Sequence, residues 1–236
     1  MTYIGSARID ENGNITGGKA GDQTGKEVMI EPFYIHKLGW YILRPKSIKH
    51  ASAIASKMVT ACKNDNIGYN QSSRNGVVKY GTGTTTKLNS DCSSLVRECV
   101  KEGTGTDPGN FNTTTEVDAL LETGLFTKST FKSEASTPLY VGDVLVTKSK
   151  GHTVVVTSGN TRSTTVSYFP KYTGSSTGID EIFKTIGASK YYDTNYSNYK
   201  KRIPIAKANG ISGYTGSSKQ NITLRNLARQ GKLVKP

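Results

Sequence analysis

The sequence holds little cysteine, little histidine and no long apolar run. Cys62, Cys92 and Cys99 are the three cysteines in 236 residues, an odd number with no C-x-x-C pair. A disulfide framework is therefore not what organises the chain. His36, His50 and His152 are the three histidines, and none is spaced as a metal pair with another. No structural zinc site, metal or other cofactor is expected. Hydrophobic residues are 34% of the chain and mean hydropathy is -0.47. No stretch approaches the roughly 20 apolar residues that cross a bilayer, so no membrane partner is expected. Met1-Thr2-Tyr3-Ile4-Gly5-Ser6 is not a basic flank leading into an apolar stretch. Synthesis in the cytoplasm without a signal peptide is the expectation.

Acidic residues are scarce as well. Eighteen Asp and Glu against 31 Lys and Arg give a formal charge of +13. A surface of that sign seeks a polyanion. Nucleic acid is the default suspect, and the anionic teichoic acids of a Gram-positive wall are the other. Residues 201–236 carry eight basic residues and no acidic one: Lys201, Arg202, Lys207, Lys219, Arg225, Arg229, Lys232 and Lys235. Much of the charge therefore sits in the tail.

The length suits one domain of ordinary size plus a small appendage. Residues 3–44 read as β structure, with Asn12-Gly13-Asn14 as a turn. Strands are expected at 31–35 and 40–43, joined tightly through Lys37-Leu38-Gly39. Ser47 opens a helix whose apolar stripe is Ile48, Ala51, Ala55, Met58 and Cys62. Residues 64–90 are rich in Gly, Ser, Thr and Asn and read mostly as loop. Asp91 begins a second helix with Leu95, Val96, Cys99 and Val100 on its buried face. A third helix is expected near 114–122. Thr113 and Glu116 have capping-box spacing there, and Gly124 is its stop. Strands follow near 141–146, 152–157 and 164–169. Gly174-Ser175-Ser176-Thr177-Gly178 has the composition of a linker. Beyond it, Tyr199, Ile203 and Ala206 predict a short helix, with Pro204 delaying its start. Ile222, Leu224, Leu227 and Ala228 predict another, closed by Gly231.

Chemistry concentrates at Asp91-Cys92-Ser93-Ser94-Leu95-Val96. An Asp N-cap puts Cys92 in the first turn of a helix, where free amides and the macrodipole favour a thiolate. A thiolate is the attacking species in acyl transfer, and the same amides stabilise an oxyanion. Ser93 and Ser94 are small and leave the sulfur approachable. His152, in Gly151-His152-Thr153-Val154-Val155-Val156, starts a strand and can serve as base. A cysteine on a helix usually packs in a core, and Cys62 and Cys99 are read that way. Cys92 differs by its N-cap and by its pairing with a strand-edge histidine.

Asp91-Cys92-Ser93-Ser94-Leu95-Val96 resembles the nucleophile motif of the NlpC family of papain-like cell-wall peptidases. Gly142-Asp143-Val144-Leu145-Val146, with the His152 segment, resembles that family's histidine motif. CHAP domains share the same logic. Residues 4–28, from Ile4-Gly5-Ser6-Ala7 onward, also resemble Clostridium-type phage and prophage endolysins. The likeness covers roughly residues 4–157. It implies an α+β fold: a papain-like antiparallel sheet with the nucleophile helix packed on it, followed by a small C-terminal helical unit. It further implies that Tyr69, in Ile67-Gly68-Tyr69-Asn70, contributes to the oxyanion site. The family orients its imidazole with a polar residue on the strand after the histidine strand. Residues 164–169 offer none, so Asn160, Asp22 and Gln23 are the candidates.

The expected organisation is a catalytic domain over 1–172 and a linker with a basic helical module over 173–236. In the module, Tyr199, Arg202, Lys207, Arg225 and Arg229 are candidates for wall binding, and Tyr191, Tyr192, Tyr196 and Tyr214 for stacking on sugars. The resemblance implies an endolysin made in the host cytoplasm and acting at the bacterial wall. It would cleave a stem-peptide or cross-bridge amide through a thioacyl intermediate. Peptidoglycan and teichoic acids are the implied partners, and nucleic acid is not. A non-catalytic wall-binding protein and a cysteine-dependent acyltransferase or transglutaminase are the alternatives.

Overall fold

A computed structural model describes residues 1–162, 167–192 and 199–236. The chain forms two compact units, Met1–Ser163 and Thr164–Pro236. The first is a mixed α+β unit built on a six-stranded antiparallel sheet. Its elements in chain order are β1 (Tyr3–Ala7), β2 (Val28–Pro32), β3 (Trp40–Pro45), α1 (Ile48–Cys62), β4 (Ile67–Tyr69), α2 (Gly76–Tyr80) and β5 (Leu88–Ser90). Then follow α3 (Cys92–Thr104), α4 (Glu116–Glu122), β6 (Phe126–Thr130), β7 (Val144–Thr147) and β8 (Thr153–Ser158). The sheet order is β2-β1-β8-β7-β3-β6, with β4 and β5 as a separate parallel pair.

The central strands β7 and β8 are apolar because both of their faces are covered. On one face Val144, Val146 and Val155 meet Ile54 and Met58 of α1 and Leu95, Val96 and Cys99 of α3. On the other, Leu145, Val154 and Val156 pack with Ile4, Trp40, Ile42 and Phe131. Burying one such side chain contributes roughly 1.5–3 kcal/mol, so this two-faced core holds the sheet. α1 starts where expected, with the Ser47 hydroxyl accepting from the His50 amide. Gly142 has φ +87 and lies so close to α1 that a Cβ would stand 2.2 Å from the Ala51 carbonyl oxygen. Asp143 beside it is fully buried and takes two hydrogen bonds from Arg44, at 2.9 and 2.8 Å.

Two local expectations are revised, and one gains detail. The hairpin of 31–35 with 40–43 does not form: β2 pairs with β1 and β3 with β6 and β7. Residues 33–39 instead connect β2 to β3, with Phe33 against Phe131 and Tyr34 against Trp40 on the second face of the sheet. Residues 64–90 are loop interrupted by the short elements β4, α2 and β5, and the side-chain amides of Asn64, Asn66 and Asn70 bond neighbouring backbone. Glu116 does not cap its helix: Thr115 is the N-cap, without a side-chain bond, and the Glu116 carboxyl turns inward.

The second unit contains α5 (Ile179–Thr185), α6 (Ile203–Ala208) and α7 (Ser218–Gln230). Pro204 sits in the first turn of α6, where its missing N–H costs nothing. Ser217 and Gln220 cap α7 reciprocally, and Gly231 ends it with φ 69. The core is Ile182, Phe183, Ile205, Ala206, Leu224, Ala228 and Leu233. Residues 174–178 are tied into this unit: the Ser176 amide donates to the Tyr172 hydroxyl, and Arg225 and Arg229 donate to the carbonyls of Thr177 and Ser176. The strand expected over 164–169 falls largely outside the described residues, as does Tyr196. Tyr168 makes a single bridge to Val234.

Candidate active site

The parallel pairing of β4 with β5 builds the approach to Cys92. Its register sets Tyr69 opposite Ser90, two residues before the cysteine. β5 then passes through Asp91 into α3. Asp91 is extended, and its Oδ1 accepts from the Ser94 amide at 2.7 Å while Ser94 Oγ accepts from the Asp91 amide at 2.9 Å. This cap leaves the amides of Cys92 and Ser93 unclaimed in the first turn. Arg74 closes on the other carboxylate oxygen of Asp91 at 3.2 Å and donates to the Phe111 carbonyl at 2.6 Å.

Cys92 is 7% exposed and lines a cavity of about 240 Å³ with Gln71, Arg74, Asp91, Ser93, Asn112, Thr113, Lys150 and Gly151. The backbone of Thr153, next in the chain to His152, favours the ionised form of the sulfur slightly. Burial dominates, with Asp91 and Glu116 adding to it, and pushes the thiol up to about 12. Desolvation and the two carboxyl groups thus act against the helix N-terminus, which favours the thiolate. Cys62 is also pushed up to about 12 and Cys99 is raised well above the usual thiol range, with burial the largest cause in both.

His152 stands at the head of β8. Its backbone is fixed from β7, where Thr147 Oγ1 accepts from the His152 amide at 3.0 Å and the Thr147 amide donates to the His152 carbonyl at 3.0 Å. Burial, then the positive charges of Arg8 and His36, lower the imidazole to about 4. The two shifts favour a neutral thiol at Cys92 and a neutral imidazole at His152. Nε2 lies 3.2 Å from Ser6 Oγ. Ser6 is buried on β1, the strand that pairs with β8. That pairing brings it to a residue 146 positions later in the chain.

The candidates for orienting the imidazole are engaged elsewhere. Asn160 donates to the Leu139 carbonyl at 3.3 Å, beyond the far end of β8. Asp22 accepts from the amides of Thr24, Gly25, Glu27 and Val28, and so builds its own loop. Gln23 donates to the carbonyls of Ala20 and Gly21. Tyr69 does lie at the site: its hydroxyl accepts from Gln71 at 3.0 Å, and burial, ahead of the Cys92 and Asp91 charges, holds it up to about 12. It stays protonated and keeps a donor. The sequence did not mark Ser6 or Glu116 as site residues. Ser6 is a lone polar residue in a short apolar strand, a signal that means little until the strand's partner is known.

Of the tail candidates, Arg202 is 2% exposed and bonds both carboxylate oxygens of Asp180, at 3.0 and 3.1 Å. Tyr199 packs on Tyr214, with ring centroids 6.4 Å apart. Lys207 is exposed. Among the described residues, no three His, Cys, Asp or Glu side chains are placed to hold a metal, and no helix is long and apolar enough to cross a membrane.

Fold and site together define an α+β unit in which a helix bearing a cysteine at its start abuts a strand that begins with a histidine. The family model of the endolysin-like domain matches residues 4–163, and the chain belongs to that family. Membership makes it a cell-wall hydrolase of endolysin type, with peptidoglycan as its substrate. No curated protein matches the chain, and no solved structure does.

Proposed function

We propose that this protein is a papain-like cysteine peptidase or amidase of the NlpC and CHAP kind, cutting an amide bond of peptidoglycan with Cys92 and His152. The observation that carries the proposal is a cysteine in the first turn of α3, open to a cavity and set against the head of the histidine strand. With Nε2 engaged by Ser6, Nδ1 is the nitrogen left to take the thiol proton. This requires the tautomer in which Nε2–H donates to Ser6 Oγ. Proton transfer then accompanies attack, as expected for a neutral pair.

Cys92 Sγ bonds to the carbonyl carbon, and its proton passes to His152. The oxyanion is met by first-turn amides and the Tyr69 hydroxyl. His152 returns the proton to the leaving amine as the C–N bond breaks, leaving a thioacyl enzyme. Water attacks next with His152 again as base, the C–S bond breaks to free the carboxyl product, and the proton returns from His152 to Cys92 Sγ. Lys150 lines the cavity and suits the free carboxylates of stem peptides. The second unit is read as the wall-binding module, with its exposed cations directed at teichoic acid phosphates.

The test is digestion of purified peptidoglycan with products identified by mass spectrometry. The wild type should release new amine termini, and Cys92→Ser should release none while keeping its thermal unfolding. A Cys92→Ser protein as active as wild type would sink the proposal. Products joined to an added amine instead of water would indicate an acyltransferase.

A further inference from the structure

Glu116 is fully buried at the start of α4. Its Oε1 accepts from Thr153 Oγ1 at 2.7 Å, and its Oε2 has no partner. The same Thr153 opens β8, the strand that packs against α3, the helix that Cys92 begins. A buried carboxyl is costly and rarely retained without a partner. This one touches the residue that follows His152 in the chain.

We propose that Glu116 is a positioning residue of the active site, holding Thr153, and through it the head of β8, against Cys92. The proposal rests on the Cys92 reading given above. Glu116 acts as the neutral acid. It has one hydroxyl donor, and the nearest cation, Arg74, is already engaged by Asp91 and the Phe111 carbonyl. The groups facing it are Asp91 and Cys92 at the head of α3, Arg74 ahead of α2, and Thr153 on β8. Burial, and after it the Asp91 charge, raises the carboxyl well above its usual range. A neutral Glu116 adds no charge beside the sulfur. Once ionised, it opposes the negative charge that develops on sulfur and oxyanion, so turnover falls on the alkaline side.

The test measures turnover of a soluble muropeptide from pH 5 to 9 by the full-length protein. Glu116→Ala and Thr153→Val should lower kcat roughly 10- to 100-fold with KM within about twofold, because the reacting groups are misplaced rather than the substrate lost. Glu116→Gln keeps shape and acceptor but cannot ionise. It should restore most of that turnover and move the alkaline decline to higher pH. Thr153→Ser should restore turnover as well. If Glu116→Ala fails to fold, Glu116→Gln carries the test through its pH profile. An unchanged alkaline decline in Glu116→Gln, or full kcat in Glu116→Ala, overturns the inference. Cys92→Ser separates the two claims: if it is inactive while the Glu116 variants behave as wild type, only the role of Glu116 fails. If it is active, the reading of the whole site fails with it.

Discussion

Ser6 is the residue whose role depends most on the fold. It lies in Ile4-Gly5-Ser6-Ala7, and only the β1–β8 pairing brings it to His152 Nε2. Cys92 and His152 were legible because their local settings, an N-cap and a strand head, are written in neighbouring residues. Ser6 and Glu116 were not, because long-range pairing defines them. If Ser6 holds the reactive tautomer, Ser6→Ala should lower kcat about tenfold and leave KM nearly unchanged in steady-state assays. His152 also makes a pH prediction for stability. Its pKa falls from 6.5 to about 4 on folding, so the unfolded chain binds the proton more tightly. Stability is intact above pH ~6.5 and is lost as pH falls through about 4, by up to about 3 kcal/mol. Denaturant titrations should show a shallower acid decline for His152→Gln. An identical decline would mean that the imidazole is not desolvated.

Among the elements, the helices were the more legible. α1, α3 and α7 carry their caps and apolar stripes in contiguous sequence. Strand partners are non-local, and turn composition suggested a 31–43 hairpin that the sheet does not contain. The Gly142-Asp143 step shows how the histidine motif also serves packing. Gly142 lets the chain pass α1 at a distance no Cβ tolerates, and Asp143 anchors Arg44 of β3. Gly142→Ala adds left-handed strain and a backbone clash, with an expected loss of roughly 2–4 kcal/mol. Chemical denaturation checks this, and a loss below about 0.5 kcal/mol would show that α1 can shift at little cost.

At the scale of the molecule, the charge of the tail was plain in the sequence, but its use was not. Arg202 neutralises Asp180 inside the second unit, and Arg225 and Arg229 fasten residues 174–178. Exposed cations such as Lys207 are what remain for a polyanion. Removing residues 164–236 should therefore abolish wall pull-down yet spare hydrolysis of a soluble peptide. Binding by the whole protein should fall steeply with salt through counterion release. Undiminished pull-down after truncation would assign the unit another role. The account turns, however, on a single thiol. The most direct test is to treat the active protein with a small alkylating agent and follow peptide-mapped labelling of each cysteine alongside lytic activity. Activity should disappear in proportion to labelling of Cys92, with Cys62 and Cys99 unmodified. Protein fully labelled at Cys92 that still lyses walls would contradict the mechanism.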